Sequence, residues 1–149
     1  MNMGEFYLSE LMEKIAGYYR EKLALIKTDL MIGEYKNCLL SGDLSRSVEV
    51  LQNVMENALK YGDGKQVELI FPEDDECVQI AVRNGGCTLG EDDLPHIFES
   101  FWRGANAENI RGSGLGLYIC RQLMRRMNGE IFAKIDDDMI TVTAVFARV

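Results

Sequence analysis

Two pairs of alternating segments constrain the fold of this chain most strongly. In the first pair, residues 65–71 (KQVELIF) and 77–83 (CVQIAVR) alternate apolar and polar side chains on either side of a polar turn. In the second, residues 130–135 (EIFAKI) and 139–147 (MITVTAVFA) flank a short acidic turn. Alternation with period two indicates strands with one buried face, and the short polar connections indicate antiparallel hairpins.

Three further segments have the apolar spacing of helices. The helices are predicted at 8–19, 44–61 and 115–127, and two additional short strands at 24–32 and 36–40. Gly62 follows the second helix and Gly129 the third, which is typical because glycine commonly ends a helix. The elements predict an α/β protein: a two-layer sandwich with about three helices on one face of a mixed sheet of about five strands.

Composition and charge limit the class of protein further. The chain has 149 residues, 47% hydrophobic and 27% charged, which predicts one globular domain over residues 1–149. A formal net charge of −8 argues against a surface that binds nucleic acid or an anionic membrane. Four cysteines without a C-x-x-C pair favour reduced thiols. Since neither a membrane span nor a signal peptide is recognisable, we expect a cytoplasmic chain without membrane contact.

The stretch 84–114 fits neither a strand nor a long helix. Structureless stretches beyond about 12–15 residues in a compact domain are usually lids or binding loops. At its end, Gly112, Gly114 and Gly116 precede an apolar helix. Glycines permit close approach of the backbone to phosphates, and a helix N-terminus presents free N–H groups to them. The spacing matches neither a P-loop nor a dinucleotide fingerprint, so the cluster alone leaves phosphate binding and a plain hinge open.

The second predicted helix carries a polar stripe. At about 100° per residue, Asn53, Asn57 and Lys60 fall on one face, with Tyr61 at its margin. An asparagine oxygen can ligate Mg²⁺ without adding charge beside phosphates, and lysine supplies a positive charge to the same oxygens. A solvated helix face is the alternative interpretation of this helix taken alone.

Four segments in this order resemble the ATP-binding catalytic domain of bacterial sensor histidine kinases, within the GHKL ATPase superfamily. LQNVMENALKY resembles the N box, NGG a variant of the G1 box, IFESFWRG the F box and GSGLGL the G2 box. The segments YLSELMEKI and LLSGDLSRSVEVLQN also resemble those that precede the N box, so the resemblance covers essentially the whole chain from about Phe6. It implies a sandwich with a long ATP lid within 84–114.

The resemblance implies ATP and Mg²⁺ as cofactors and assigns roles to residues. Asn57 would be the Mg²⁺ ligand, with Asn53 one turn earlier helping to position the triphosphate. Lys60 and Tyr61 would face phosphates or sugar, and Arg103 would reach the nucleotide when the lid closes. The implied ATP-binding set is Asn53, Asn57, Lys60, Tyr61, Asn84, Gly86, Arg103, Gly112, Gly114, Leu115 and Gly116, with Phe98 and Phe101 as lid anchors.

The G1 box departs from the family pattern at two positions. Asn84 stands where the family usually has an aspartate that hydrogen-bonds the adenine amino group, and Thr88 replaces the last glycine. Gly86, which would keep the backbone close to the base, is retained. A neutral asparagine can accept the same hydrogen bond, but more weakly than a carboxylate. Whether the variant box lowers the affinity for ATP stays open.

By this resemblance the chain is the Mg-ATP-binding catalytic domain of a two-component sensor histidine kinase. It would present the γ-phosphate to a histidine on a separate dimerisation and phosphoacceptor domain, with a response regulator downstream and a parent kinase that could be membrane-anchored. His96, the only histidine, lies in LPHIF and lacks the acceptor's sequence context, so no catalytic residue is expected here and autophosphorylation cannot be completed alone. The alternatives are an anti-sigma-factor-type serine kinase and a degenerate nucleotide-binding module without turnover.

Overall fold

The computed structural model describes residues 1–99 and 116–149. Within these ranges, three α-helices and a short 3-10 helix accompany a seven-stranded mixed sheet, which confirms the predicted sandwich. The strands are β1 (Gly4–Tyr7), β2 (Asp29–Ile32), β3 (Leu39–Gly42), β4 (Gln66–Ile70), β5 (Cys77–Asn84), β6 (Glu130–Asp136) and β7 (Met139–Arg148). The helices are α1 (Leu8–Leu25), α2 (Leu44–Tyr61) and α3 (Gly116–Arg126), and the 3-10 helix spans Glu91–His96.

Both predicted hairpins form and occupy the middle of the sheet. The strand order is β1-β3-β7-β5-β4-β2, with β6 also paired to β7. In the first hairpin Leu69 faces Val82, and in the second Ile131 faces Ala144. β2 runs parallel to β4, which makes the sheet mixed. β5 lies between β4 and β7, and its last residue, Asn84, pairs with Val67 near the start of β4 and with Ile140 near the start of β7.

The sheet has seven strands where about five were predicted, and the segment before β3 was partly misassigned. α1 continues through Leu25 into the region predicted as a strand, and β2 begins only at Asp29 after a left-handed turn at Lys27 (φ 57°). β1 was not predicted because Phe6 is the only buried side chain among its four residues. The strand forms because β1 pairs with β3, and strand formation depends strongly on neighbouring strands.

Helix α2 lies on the sheet with one face fully buried. Asp43 caps its N-terminus by accepting a hydrogen bond from the backbone N–H of Arg46 at 3.1 Å. Hydrogen bonds from the backbone N–H groups of Asn2 and Arg46 lower the pKa of Asp43. Leu51 and Met55 are completely buried in the core between helix and sheet. The opposite face of α2 therefore carries the polar stripe away from the sheet.

Helix α3 packs beside α2. Its buried side chains include Leu117, Cys120 and Met124, and the thiol of Cys120 donates to Val50 O of α2 at 3.5 Å. After the helix, Asn128 adopts the left-handed conformation (φ 61°), directly before Gly129, the residue at which the sequence predicts the helix to end. In the described part of the chain, no helix combines the length and the apolar character that a membrane span requires.

Candidate nucleotide-binding site

Three elements meet at one end of the sheet: the C-terminal half of α2, the loop after β5 and the N-terminus of α3. Asn84 at the end of β5 donates from Nδ2 to Ala58 O of α2 at 3.1 Å. A Cβ built on Gly116, the first residue of α3, would lie 4.0 Å from Asn53 Oδ1 of α2. Helix α2, the loop after β5 and the first residue of α3, which are far apart in the sequence, are thus neighbours in space.

The polar stripe of α2 faces this junction. Asn53 and Asn57 are half-buried, Lys60 is exposed, and Tyr61 packs partly against the core. The stripe offers two neutral amide oxygens about one helical turn apart, followed by a positive charge. Such a set suits a hard cation that is shared with phosphate oxygens, because the amide oxygens of Asn53 and Asn57 ligate a cation without adding negative charge beside the phosphates.

Cys120 of α3 is buried against α2, close to Asn53. The thiol is fully buried, and burial raises its pKa to about 12, a shift that a hydrogen bond with the Asn53 side chain opposes. The thiol therefore stays protonated at neutral pH and can donate to Val50 O. The buried thiol thus links α3 to α2 close to Asn53.

Asn84 has a structural role that an aspartate could not fill. The residue is 4% exposed, and its Nδ2 donates to Ala58 O at 3.1 Å and to Gly85 O at 3.4 Å. An amide has donors only on its nitrogen, so these two carbonyls direct Oδ1 away from α2. The side chain thus ties the end of β5 to α2 while its acceptor remains available on the other side.

The loop after β5 is bound closely to the residues that follow α2. Asp63 N donates to Gly85 O at 3.0 Å, and Thr88 N donates to Tyr61 O at 3.1 Å. Gly86 has φ 67°, and a Cβ there would collide with the Cβ of Asp63. Glycine is therefore required at this position, both for its backbone conformation and for its small size. Thr88 is exposed and has no positive φ, so the loop does not need the family's last glycine there.

The acidic turn between β6 and β7 also contacts the loop after β5. Cys87 N donates to Asp138 O at 2.8 Å. Asp137 adopts φ 53°, and the three aspartates of the turn are exposed. The turn contributes a backbone carbonyl to the loop rather than a carboxylate.

The first part of the F box is anchored in the core. Phe98 is buried, and the guanidinium carbon of Arg121 lies 4.0 Å from its ring centroid. Arg121 also donates to Ile131 O at 3.1 Å, so it connects α3 to both Phe98 and β6. His96 is exposed and its Nδ1 lies 2.7 Å from Glu99 Oε1.

The structure thus describes part of the predicted site. The members that lie at the junction of α2, the β5 loop and α3 are Asn53, Asn57, Lys60, Tyr61, Asn84, Gly86 and Gly116. The members that lie outside the described residues are Phe101, Arg103, Gly112, Gly114 and Leu115. The role of Phe98 as a lid anchor stays a prediction, although its side chain is buried.

Several residues at the junction were not expected from the sequence. Cys120 could have been found, because its helical spacing from Leu117 and Met124 places it on the buried face of α3. The contact between Asp63 and Gly86 has no local signal, since it depends on the approach of two loops.

Comparison with known proteins identifies the family. The family model for histidine kinase-, DNA gyrase B- and HSP90-like ATPases matches residues 42–146. The chain belongs to this ATPase family. The match includes the whole of α2, the β5 loop and α3, which are the elements of the candidate site.

Similar members of the ATPase family are sensor kinases. The signal transduction histidine-protein kinase BaeS of Escherichia coli strain K12 is 30% identical over 129 residues, which is 85% of this chain and 28% of BaeS. The catalytic domain of histidine kinase ThkA, in a nucleotide-free form, superimposes with a TM-score of 0.85 over 99% of both chains at 22% identity. A complex of ThkA with the response regulator TrrA matches with a TM-score of 0.80 at 21% identity, covering 99% of this chain and 42% of that one. The solved structures show that the fold is shared, and this chain spans under a third of BaeS.

Gly86→Ala should destabilise the fold by about 1–3 kcal/mol, because alanine would be strained at φ 67° and its Cβ would collide with Asp63. Gly17→Ala is the matched control: Gly17 lies inside α1 with open space around its Cα, and alanine should stabilise the protein by about 0.5–1 kcal/mol. Urea unfolding measures both. Equal stability of Gly86→Ala and the unsubstituted chain would contradict the steric argument.

Asn84→Asp, which restores the residue usual in the family, should destabilise this protein by about 1–3 kcal/mol at neutral pH and not tighten nucleotide binding. The carboxylate has no N–H for Ala58 O, so two oxygens would face each other in a buried place. In the control Asn37→Asp, the side chain only accepts, from the N–H groups of Ser9 and Cys38, so an aspartate keeps both bonds. Urea unfolding and calorimetric titration with Mg-ATP test this, and a more stable Asn84→Asp would refute it.

Proposed function

We propose that residues 1–149 form the Mg-ATP-binding catalytic domain of a two-component sensor histidine kinase. The observation that carries the proposal is the position of the α2 asparagine stripe opposite Gly116, at a junction closed by the loop after β5. Membership of the ATPase family and similarity to the kinase BaeS support it. The proposal places the domain in the cytoplasm, as part of a larger kinase that could be anchored in a membrane.

The residues present fit a nucleotide with its cation. Position 116 is open towards Asn53 because glycine leaves the space that a Cβ would fill, and neutral amide oxygens line the α2 stripe. In the proposed site, Asn57 holds Mg²⁺, Asn53 helps to position the triphosphate, and Lys60 supplies positive charge. When bound, Mg²⁺ would neutralise phosphate charge and favour departure of the γ-phosphoryl group.

The base would be recognised at the loop after β5. Asn84 Oδ1, directed away from α2 by the hydrogen bonds of its amide nitrogen, would accept from the adenine amino group. Gly86 would let the backbone approach the base. We further propose that 84–114 contains the ATP lid, with Phe98 and Phe101 as anchors and Arg103 reaching the nucleotide, and that Gly112, Gly114 and Leu115 complete the phosphate-binding loop.

The part of this domain in the reaction is positioning. Phosphoryl transfer depends mainly on alignment and on charge stabilisation, both of which a rigid α2 stripe supplies. The accepting histidine and the base that takes its proton would lie on the dimerisation and phosphoacceptor domain of the same kinase. A response regulator would receive the phosphoryl group afterwards, and the ThkA–TrrA complex is a precedent for such an encounter.

Mg-ATP should stabilise the chain, and Asn57→Ala should weaken this effect. Ligand at about 100 times its dissociation constant adds roughly 2.7 kcal/mol, which raises the unfolding midpoint of a domain near 150 residues by roughly 5–11 °C. The matched control is Asn2→Ala, at an exposed position whose backbone N–H makes the contact with Asp43. Thermal unfolding with and without Mg-ATP measures the shifts. No shift at millimolar Mg-ATP in the unsubstituted chain would refute nucleotide binding.

Mixed with the phosphoacceptor domain of its parent kinase and radiolabelled Mg-ATP, the chain should transfer phosphate to histidine. Asn57→Ala should lower the rate at least about tenfold, since the cation would lose a protein ligand. The product should be acid-labile and alkali-stable, as phosphohistidine is. Acid-stable labelling of a serine-bearing antagonist protein would favour the anti-sigma-factor kinase instead. Binding of ATP without transfer to either acceptor would identify a degenerate module.

A further inference from the structure

A polar cluster joins α1 to α2 on the flank of α2 that faces away from α3. Tyr19 of α1 is completely buried, and its hydroxyl donates to Glu56 Oε2 of α2 at 2.7 Å, with Gln52 O 3.1 Å away. Lys22 Nζ lies 3.2 Å from Glu56 Oε1 and 3.1 Å from Oε2. We call the three residues Tyr19, Lys22 and Glu56 the α1–α2 clamp.

The clamp holds Glu56 in one orientation although this side chain reaches the surface. Both carboxylate oxygens have a partner on α1, so neither is free to act as a base. Burial and the neighbouring carboxylate raise the pKa of Tyr19, which keeps its hydroxyl a donor at every physiological pH. Lys22 Nζ also lies 5.4 Å from the ring centroid of Tyr18 and 5.5 Å from that of Tyr19, which restricts the ammonium further.

Glu56 lies at the border of the stripe that carries the nucleotide-binding asparagines. It directly precedes Asn57, and it lies about 60° from Asn53 and about 40° from Lys60 around the helix axis. On the opposite border, the thiol of Cys120 of α3 donates to the carbonyl of Val50. The two borders of the stripe are thus held by different helices, α1 on one side and α3 on the other.

Holding α2 in this way matters because side-chain ends lie about 5–6 Å from a helix axis. A rotation of α2 by about 10° would move the asparagine oxygens by about 1 Å, and displacements of this size can cost about two orders of magnitude in rate. The apolar face of α2 resists rotation through packing, which is non-directional. Hydrogen bonds and charge contacts depend on direction, so they are suited to set the last degrees of the helix orientation.

We propose that Glu56 is a positioning residue for the nucleotide site, acting with Tyr19 and Lys22 to set the rotation of α2 and thereby the placement of Asn53 and Asn57. This inference rests on the function proposed above. It assigns a role in the site to α1, a helix that bears none of the nucleotide-binding residues implied by the resemblance.

Two conservative variants test the clamp. Tyr19→Phe removes only the hydroxyl, and Glu56→Gln keeps the size of the side chain but removes its charge. The matched control is Glu49→Gln, which removes a carboxylate from the same helix whose partner, Arg46, lies on that helix at 2.8 Å. Calorimetric titration with Mg-ATP well below the unfolding midpoint gives the dissociation constant. Proton–nitrogen spectra without nucleotide follow the side-chain amide of Asn57.

We expect both clamp variants to raise the dissociation constant about three- to tenfold and to shift the Asn57 amide resonances, with Glu49→Gln within about twofold. Lys22→Arg should bind like the unsubstituted chain and Lys22→Met like the clamp variants, which gives a second test if Tyr19→Phe fails to fold. Lower unfolding midpoints with unchanged affinity and unchanged resonances would reduce the clamp to a stabilising contact. If the unsubstituted chain binds no Mg-ATP, the proposed function fails. The Asn57 amide resonances, which are measured without nucleotide, still show whether the clamp determines the placement of the asparagine side chains.

Discussion

The burial of one face of α2 against the central strands is the constraint on which the rest of this structure depends. Leu51 and Met55 are fully removed from water, so the helix has a defined face towards the sheet. The asparagine stripe lies on the other side of the same helix. A single amphipathic segment therefore contributes both to the core and to the proposed nucleotide site, and a change in its rotation would affect the two together.

Helix α2 is contacted from three sides, by the sheet, by α1 and by α3. The sheet holds the helix through apolar packing, α1 holds it through the hydrogen-bonded and charged α1–α2 clamp, and α3 holds it through the buried thiol of Cys120. The loop after β5 then closes its C-terminal end, since Asn84 and Thr88 donate to carbonyls near that end. Carbonyls at a helix C-terminus lack partners within the helix, so this loop both satisfies them and becomes rigid.

The variant G1 box shows that residues in this loop can differ from the usual family pattern while the loop keeps its contacts. In this chain the Asn84 side chain donates a hydrogen bond to the carbonyl of Ala58 near the end of α2. Thr88 lies at a position whose backbone φ is not positive. Gly86 is retained where a Cβ would collide with Asp63. The substitutions therefore follow the steric and hydrogen-bonding demands of each position. In an acidic chain of net charge −8, the positive charge for a phosphate site has to be local, and Lys60 at the end of the stripe is such a charge.

The sequence by itself determined the three helices except for the last turns of α1, both hairpins, the family resemblance and the α2 stripe, because these depend on local periodicity and on short ordered motifs. It did not reveal β1, whose four residues form a strand only through pairing with β3. It also did not reveal that Glu56 is bound by Tyr19, 37 positions earlier, or that Asp63 lies against Gly86. Only the tertiary structure decided these contacts, because the free energy of a hydrogen bond or a steric limit between distant residues depends on how the elements pack, which no local pattern encodes.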